Sequence, residues 1–405
     1  MSEKVRILFV DDEPHVLNGL RRVMTGASHD WDMSFCANGE QALTLMDEKP
    51  FDVIVSDMRM PEMDGAQLLE IVRNRFPATI RIILSGYADA TSVLRTVGPA
   101  HAYLAKPCNS QTLADAITRP LALRQTMTST GLHNVLGGLT HLPSLPKPFL
   151  EITEILRSPN TSIRAVADII AKDIAMTAEL LKLTNSAFFS VGARITTPLQ
   201  ATRTLGLETI QALVLRIGIF RQFSGNDPAV TSMMATLTDH SLAIAKLTES
   251  IAEAEGCDQT MAKTAYCAGM FCHLGMLILL DANPGKYRDV LSKACEQTPL
   301  ESIETETFGA SNALLGGYLL GLWGFSQAVV EAVSFSARPA EIGIPENLLL
   351  TALHAARAFG PPLPWLSHGN RDVRELDRGY IEQCRRSERI ALWQDIATHS
   401  IDKVK

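Results

Sequence analysis

Through its first 124 residues the chain alternates continuous apolar runs with stretches whose apolar positions recur at helical spacing. Residues 5–10 (VRILFV), 51–56 (FDVIVS) and 80–84 (IRIIL) read as strands buried on both faces, with further strands at Trp31 to Cys36 and His101 to Leu104. Between them, Val16, Leu17, Leu20, Val23 and Met24 mark a helix from Pro14 to Met24, and Leu68, Leu69 and Val72 mark another from Gly65 to Arg75. Further helices are expected at Gly39 to Met46, 89–97 and Ser110 to Arg124. This alternation predicts a flavodoxin-like α/β domain: a doubly wound sheet of five parallel strands with helices on both faces.

Residues 125–146 break the pattern with a Thr-, Gly- and Pro-rich stretch of weak periodicity, the signature of a linker. From 147 onward strand signals vanish and helical periodicity recurs in many runs, among them 229–253, 260–280, 303–321, 346–359 and 372–398. Short helices joined by short loops, without a fixed-period repeat, predict a compact all-α domain. The expected boundaries are 1–124 for the first domain, 125–140 for the linker, 141–350 for the helical domain and 351–405 for a helical extension. Leu376, Tyr380, Ile390, Leu392, Trp393 and Ile396 would pack that extension onto the bundle. Gly316, Gly317, Gly321 and Gly324 lower helix propensity and are expected to allow close helix packing.

The formal net charge of -7, with no helix-turn-helix pattern after the linker, argues against direct DNA binding, which needs a concentrated basic surface. The seven cysteines are scattered without a CxxC pair, so neither a disulfide framework nor a cysteine zinc site is suggested. Apolar runs such as 274–280 and 314–323 fall short of the roughly 20 residues that span a bilayer. The N-terminal run is too short for a signal peptide. A cytoplasmic protein without membrane insertion is the expectation.

The chemistry gathers at strand ends. Asp11, Asp12, Asp57, Ser85 and Lys106 each follow an apolar run, and sites in such sheets lie outside the carboxyl ends of the strands. A single aspartate after a strand is usually a cap or turn residue; it is the combination that points to a site. Converging carboxylates repel one another unless a hard cation such as Mg²⁺ joins them. Asp57 can then hold the cation and attack phosphorus, while Lys106 neutralises charge on the transferring group and Ser85 offers a hydroxyl. Gly65 is expected to permit a tight backbone position, and Lys106-Pro107 is a candidate cis bond.

The motifs VDDE (10–13), DMRMPEMDG (57–65), LSG (84–86) and KP (106–107) make the first domain resemble the receiver domain of two-component response regulators. The resemblance implies that Asp57 accepts phosphate from a sensor histidine kinase. It implies that Asp11 or Asp12, together with Asp57 and the Arg59 backbone carbonyl, binds Mg²⁺. It also makes Ser85 and Tyr103 a coupled hydroxyl–aromatic switch. The signal would then emerge on the face formed by helix 89–97, strand 101–104 and helix 110–124.

The blocks LPSLPKP (142–148), 163–189 and LQATRTLGLETIQALVL (199–215) make the second domain resemble the HDOD family, a relative of the HD phosphohydrolases. His240 resembles the first histidine of an HD metal site. The His-Asp pair itself is degenerate: GMFCHLG (269–275) puts Cys272 in place of the His and His273 in place of the Asp, and SFS (334–336) stands where an HH pair is common. His240 is therefore expected to be a capping or core residue, and His273 a buried, hydrogen-bonded one. Cys272 and His273 point about 100° apart on a helix and are not expected to touch. No cofactor is expected in this domain, and no enzyme activity beyond the receiver's own phosphoryl transfer. The implied function is a response regulator whose helical domain binds a downstream signalling protein, with a homodimer expected. The alternative is a phospho-regulated, metal-dependent cyclic-dinucleotide phosphodiesterase.

Overall fold

The computed structural model describes residues 4–25, 31–86, 99–125, 142–144, 146–158, 161–185, 195–211, 213–214, 221–222, 227–294, 298–343, 347–363 and 376–402. The expected helix at 89–97 and residues 126–140 of the linker expected at 125–140 lie outside them, while Gln125 ends the last helix of the first domain.

The N-terminal domain runs β1 (Val5–Val10), α1 (Pro14–Thr25), β2 (Trp31–Cys36), α2 (Gly39–Glu48), β3 (Val53–Asp57), α3 (Gly65–Arg75), β4 (Ile80–Ser85), β5 (Ala102–Ala105) and α4 (Ser110–Gln125). Its five strands form one sheet in the order β2-β1-β3-β4-β5, every pair parallel. The apolar run of β3 is buried throughout, and its register sets Asp57 beside Leu84, so the acid sits at the carboxyl edge of the sheet. Helix α3 begins at once because Asp64 and Gln67 cap it reciprocally.

The helical domain begins with β6 (Pro143–Ser144) and continues through α5 (Pro146–Ile155), α6 (Ile163–Ile170), α7 (Ile174–Thr184), α8 (Pro198–Leu205), α9 (Leu207–Gln211) and β7 (Arg221–Gln222). It is completed by α10 (Pro228–Ala254), α11 (Gln259–Met270), α12 (Leu274–Ala282), α13 (Pro284–Lys293), α14 (Leu300–Phe308), α15 (Asn312–Leu322), α16 (Gln327–Phe335) and α17 (Leu348–Phe359). The extension supplies α18 (Arg378–Gln383) and α19 (Ile390–Asp402).

Three features of the helical domain depart from the periodicity, and in the extension the run 372–398 is split into α18 and α19. The run 260–280 is two helices, α11 and α12, broken by a turn at 271–273 where the Cys272 N–H bonds Gly269 O and the Leu274 N–H bonds Phe271 O. Close packing flanks that break. A Cβ on Gly269 would lie 2.6 Å from Ala245 Cα, and one on Gly275 would lie 1.9 Å from Asn312 O. The run 303–321 is likewise two helices, because Gly309 takes a left-handed φ of 86° and Ser311 caps the next helix. The third departure is a short parallel pairing of β6 with β7, invisible in the alternation pattern.

Gln259–Ala282 as a whole is apolar and long enough to cross a bilayer, but 83% of its most apolar window is buried within the protein. Gly317 lies tight against Ser334, as the glycine-rich sequence suggests, whereas Gly324 serves a positive φ of 73° at the end of α15.

Helix α4 belongs to both halves. Leu113, Ile117 and Leu121 line the sheet, and the same apolar cluster continues through Leu319 and Trp323 of the helical domain. Helix α4 packs on α15, where Leu123 Cδ1 lies 3.6 Å from the Cβ position of Gly321. The extension is pinned at Glu255, which accepts from Trp393 Nε1 at 2.9 Å and Arg389 Nε at 2.8 Å and pairs with Arg386. Tyr380 and Trp393 are buried as expected, but Leu392 faces solvent because α19 turns only one side to the bundle.

Candidate functional site

Asp11 and Asp57 are buried at the carboxyl edge of the sheet and converge on Lys106. The Lys106 ammonium donates to Asp11 Oδ2 at 2.6 Å and also to Asp57 Oδ1. The other Asp57 oxygen, Oδ2, accepts from the Arg59 N–H at 2.6 Å, and Asp11 Oδ1 accepts from the Glu13 N–H at 3.0 Å. Burial pushes the Asp57 carboxyl above its ordinary value, against the pull of Lys106 and the Arg59 N–H. Burial works against the Lys106 charge too, but its hydrogen bonds to both aspartates and their negative charges outweigh it and hold its pKa above the ordinary value. Asp57 shares this one cation with Asp11, whereas Lys106 has both carboxylates as partners.

Gly65 fits this site by close approach rather than by a special φ. A Cβ there would lie 2.1 Å from the Asp57 carbonyl oxygen. Lys106-Pro107 is cis. Ser85 is buried with its hydroxyl on Gly86 O at 3.0 Å, and Tyr103 is buried one strand over, on β5. Asp12 is half-buried, and Arg59 meets Asp57 through its N–H, with its side chain exposed. Among the described residues, no group of three or more His, Cys, Asp or Glu side chains is arranged as a metal site.

In the helical domain the turn at 271–273 places His273 against His240 of α10. His273 Nε2 lies 2.9 Å from His240 Nδ1, and His240 Nε2 lies 2.6 Å from Pro361 O. A carbonyl only accepts, so His240 carries its proton on Nε2 and receives the His273 N–H on Nδ1. Both rings are buried, at 6% and 1% exposure, and the two facing nitrogens are committed to each other. Ser334 and Ser336 are buried, with Ser336 Oγ bonded to Val333 O at 3.1 Å and to Arg357.

Residues 7–118 match the model of the response regulator receiver domain, and residues 142–339 match that of the HDOD domain. The chain is a response regulator receiver domain fused to an HDOD domain. This is the architecture of a two-component regulatory system. An uncharacterized protein of Treponema pallidum (strain Nichols) is 24% identical over 62% of this chain and 46% of its own length. The hydrogenase transcriptional regulatory protein HoxA of Cupriavidus necator is 28% identical over 42% of this chain and 38% of its own. The chain thus spans less than half of these curated relatives. Among solved structures, the MmoQ response regulator from Methylococcus capsulatus str. Bath is 23% identical, with a TM-score of 0.44 over 63% of this chain and 98% of that one.

Sequence reasoning missed three buried polar centres. In the receiver, Arg81 is fully buried on β4, donating to Pro99 O at 2.6 Å and Thr79 O at 3.1 Å and contacting His101 Nε2 at 2.8 Å. Burial lowers its pKa to about 9, still above neutrality. In the HDOD domain, Glu304 accepts from Tyr287 Oη at 2.6 Å and from the Asn312 N–H and Nδ2, both at 2.8 Å. The third is the Glu255 staple. An isolated charge within an apolar run was the available signal for Arg81. The other two join residues far apart in sequence.

Proposed function

We propose that the chain is a phosphorylation-dependent response regulator in which Asp57 accepts a phosphoryl group from a histidine kinase and the HDOD domain is a non-catalytic, protein-binding output. The supporting observation is the Lys106 ammonium held between Asp11 and Asp57, an arrangement that stabilises charge on a phosphoryl group arriving at Asp57. An Asp57 oxygen forms the new bond to phosphorus as the bond to the donor's histidine nitrogen breaks. The Arg59 N–H orients the acceptor, and Ser85 lies at the end of the neighbouring strand to meet the phosphoryl oxygens.

Asp11 and Asp57 approach closely enough to share one ammonium, and their hard oxygen donors suit Mg²⁺. Asp11, Asp12, Asp57 and the Arg59 carbonyl would hold it, where it would neutralise charge on the transferring group. The phosphodiesterase reading is disfavoured by the mutual commitment of the His240 and His273 nitrogens.

Phosphorylation alters the receiver locally, and α4, shared with the HDOD domain, is the packed element that carries the change to the output. A downstream signalling protein in the cytoplasm is the proposed reader, with dimerisation near Tyr103 as part of the response. The test is incubation with Mg²⁺ and acetyl phosphate followed by intact-mass spectrometry. One phosphoryl addition is expected in the wild type and none in Asp57→Asn; equal labelling of the variant rejects the assignment.

A further inference from the structure

The backbone between Asp57 and α3 is strained at Glu62. Its φ is 66°, in the left-handed region that residues other than glycine seldom adopt. The Met63 N–H bonds Pro61 O at 2.7 Å across it, so Pro61, Glu62 and Met63 form the strained form of the γ-turn. Such a conformation persists only where its surroundings hold it, and it is common where strain serves a site. The Glu62 side chain is exposed and supplies no hold of its own.

Met63 does. It is half-buried and packs on the apolar cluster that α2 and α3 form over the sheet. Its stem lies along Gly39, the first residue of α2: a Cβ there would be 2.6 Å from Met63 Sδ, 3.1 Å from its Cγ and 3.3 Å from its Cβ. Only a residue without a side chain lets Met63 seat this closely.

The contact joins the two chain segments that deliver the carboxylates. On the α2 side, the Asp11 N–H bonds the Cys36 carbonyl at 3.2 Å, at the end of the strand that leads to Gly39. On the α3 side, the Gly65 N–H bonds Met58 O at 3.0 Å and closes the loop that contains the turn. Asp64 and Gln67 fix the loop's exit. With both ends fixed, any relaxation at Glu62 is taken up by the residues between them. Arg59 is one of these, and its N–H holds Asp57 Oδ2 at 2.6 Å.

We propose that Met63 is a positioning residue: seated on Gly39, it holds the strained turn at Glu62 and so keeps the Arg59 N–H on the Asp57 carboxylate. The consequence for phosphoryl transfer rests on Asp57 being the acceptor; the consequence for the Arg59 amide does not.

The direct probe is hydrogen exchange of the Arg59 amide, followed by NMR in the arginine-labelled full chain with EDTA present. The second is the rate of labelling by acetyl phosphate with Mg²⁺. Met63→Ala should speed Arg59 exchange about tenfold and slow labelling by a similar factor. Adding Glu62→Gly, which adopts a positive φ without strain, should restore both, whereas lost packing alone is not repaired by a glycine at an exposed position. Gly39→Ala, which displaces the Met63 stem, should act like Met63→Ala and add nothing in the Gly39→Ala, Met63→Ala double variant. If Met63→Ala does not fold, Gly39→Ala carries the test alone. The proposal is overturned by wild-type Arg59 exchange in either folded single variant, by failure of Glu62→Gly to restore Met63→Ala, or by Gly39→Ala and Met63→Ala effects that multiply. The expected exchange pattern in a wild type that takes no label supports the positioning role and rejects Asp57 as the acceptor.

Discussion

His273 donates its Nε2–H to His240 Nδ1 across 2.9 Å inside the HDOD domain. Both rings are buried, and the two facing nitrogens satisfy each other. Replacing His273 with Ala removes a buried ring and leaves a buried acceptor on His240, which should destabilise the fold by ~2–4 kcal/mol. Phosphorylation of Asp57 should be unaffected. Urea denaturation and acetyl-phosphate labelling read the two effects separately; loss of labelling in a variant that remains folded would contradict a structural role.

Gly65 packs tightly against Asp57, the proposed phospho-acceptor. Alanine there sets a methyl 2.1 Å from the Asp57 carbonyl oxygen, an overlap that only backbone movement relieves. Gly65→Ala should cost at least ~2 kcal/mol and slow phosphoryl acceptance, because the displaced backbone carries the acceptor itself. A variant of wild-type stability and labelling rate would show that the loop yields freely.

Much of this architecture was legible in the sequence, and the remainder was not for identifiable reasons. The strands of the receiver announced themselves as apolar runs because both faces of a parallel sheet are covered, and Asp11, Asp57, Ser85 and Lys106 followed from their places at strand ends. The break at 271–273 was hidden because Phe271, Cys272 and His273 are all buried and keep an apolar rhythm through the turn. The turn hydrogen bonds of Cys272 and Leu274 reveal it, flanked by the close approaches of Gly269 and Gly275 to other helices. Glu304 reads as an ordinary surface residue of an amphipathic helix until Tyr287 and Asn312, 17 and 8 residues away, close around it.

Lys106→Met leaves the Asp11 and Asp57 carboxylates facing each other without their shared cation. The two influences of Lys106 that lower the Asp57 pKa disappear, while burial and Asp11, which raise it, remain. A carboxyl whose folded pKa exceeds its unfolded value contributes stability at low pH and loses it as pH rises through the folded pKa. The variant should therefore be less stable than wild type by ~2 kcal/mol at pH 7, with the gap narrowing toward pH 5. Chemical denaturation at the two pH values checks the sign; a gap that widens on acidification contradicts it.

Leu123 should hold the two domains in one cooperative unit, since the apolar cluster continues across α4 into α15. Leu123→Asp places a charge beside Gly321 at that contact. Calorimetry is expected to show one transition for the wild type and two separated transitions for the variant. A single, merely shifted transition in the variant would mean that the domains unfold together for another reason.

Glu304 and Glu255 should impose opposite pH dependences on the same domain. Burial raises the Glu304 pKa from 4.5 to about 7, against the pull of Tyr287 and Asn312 and with help from the charge of Glu301. Between those values the unfolded chain releases a proton that the folded chain retains. Stability from this group therefore falls as pH rises from 4.5 to 7, by up to ~1.4 kcal/mol per pH unit. Glu304→Gln removes that slope, so its penalty relative to wild type should be largest near pH 5 and shrink toward pH 8. Burial also opposes the Glu255 charge, but hydrogen bonds from Arg389 and Trp393 and the charges of Arg386 and Arg389 outweigh it and lower the pKa. Its contribution is present above the ordinary value of 4.5 and is lost as pH falls through the lowered one. Glu255→Gln should accordingly be most damaging at neutral pH and least damaging in acid. Urea midpoints of both variants from pH 4 to pH 8 decide the matter: the two penalties must run in opposite directions, and parallel slopes would refute the assignment of at least one of these carboxyls.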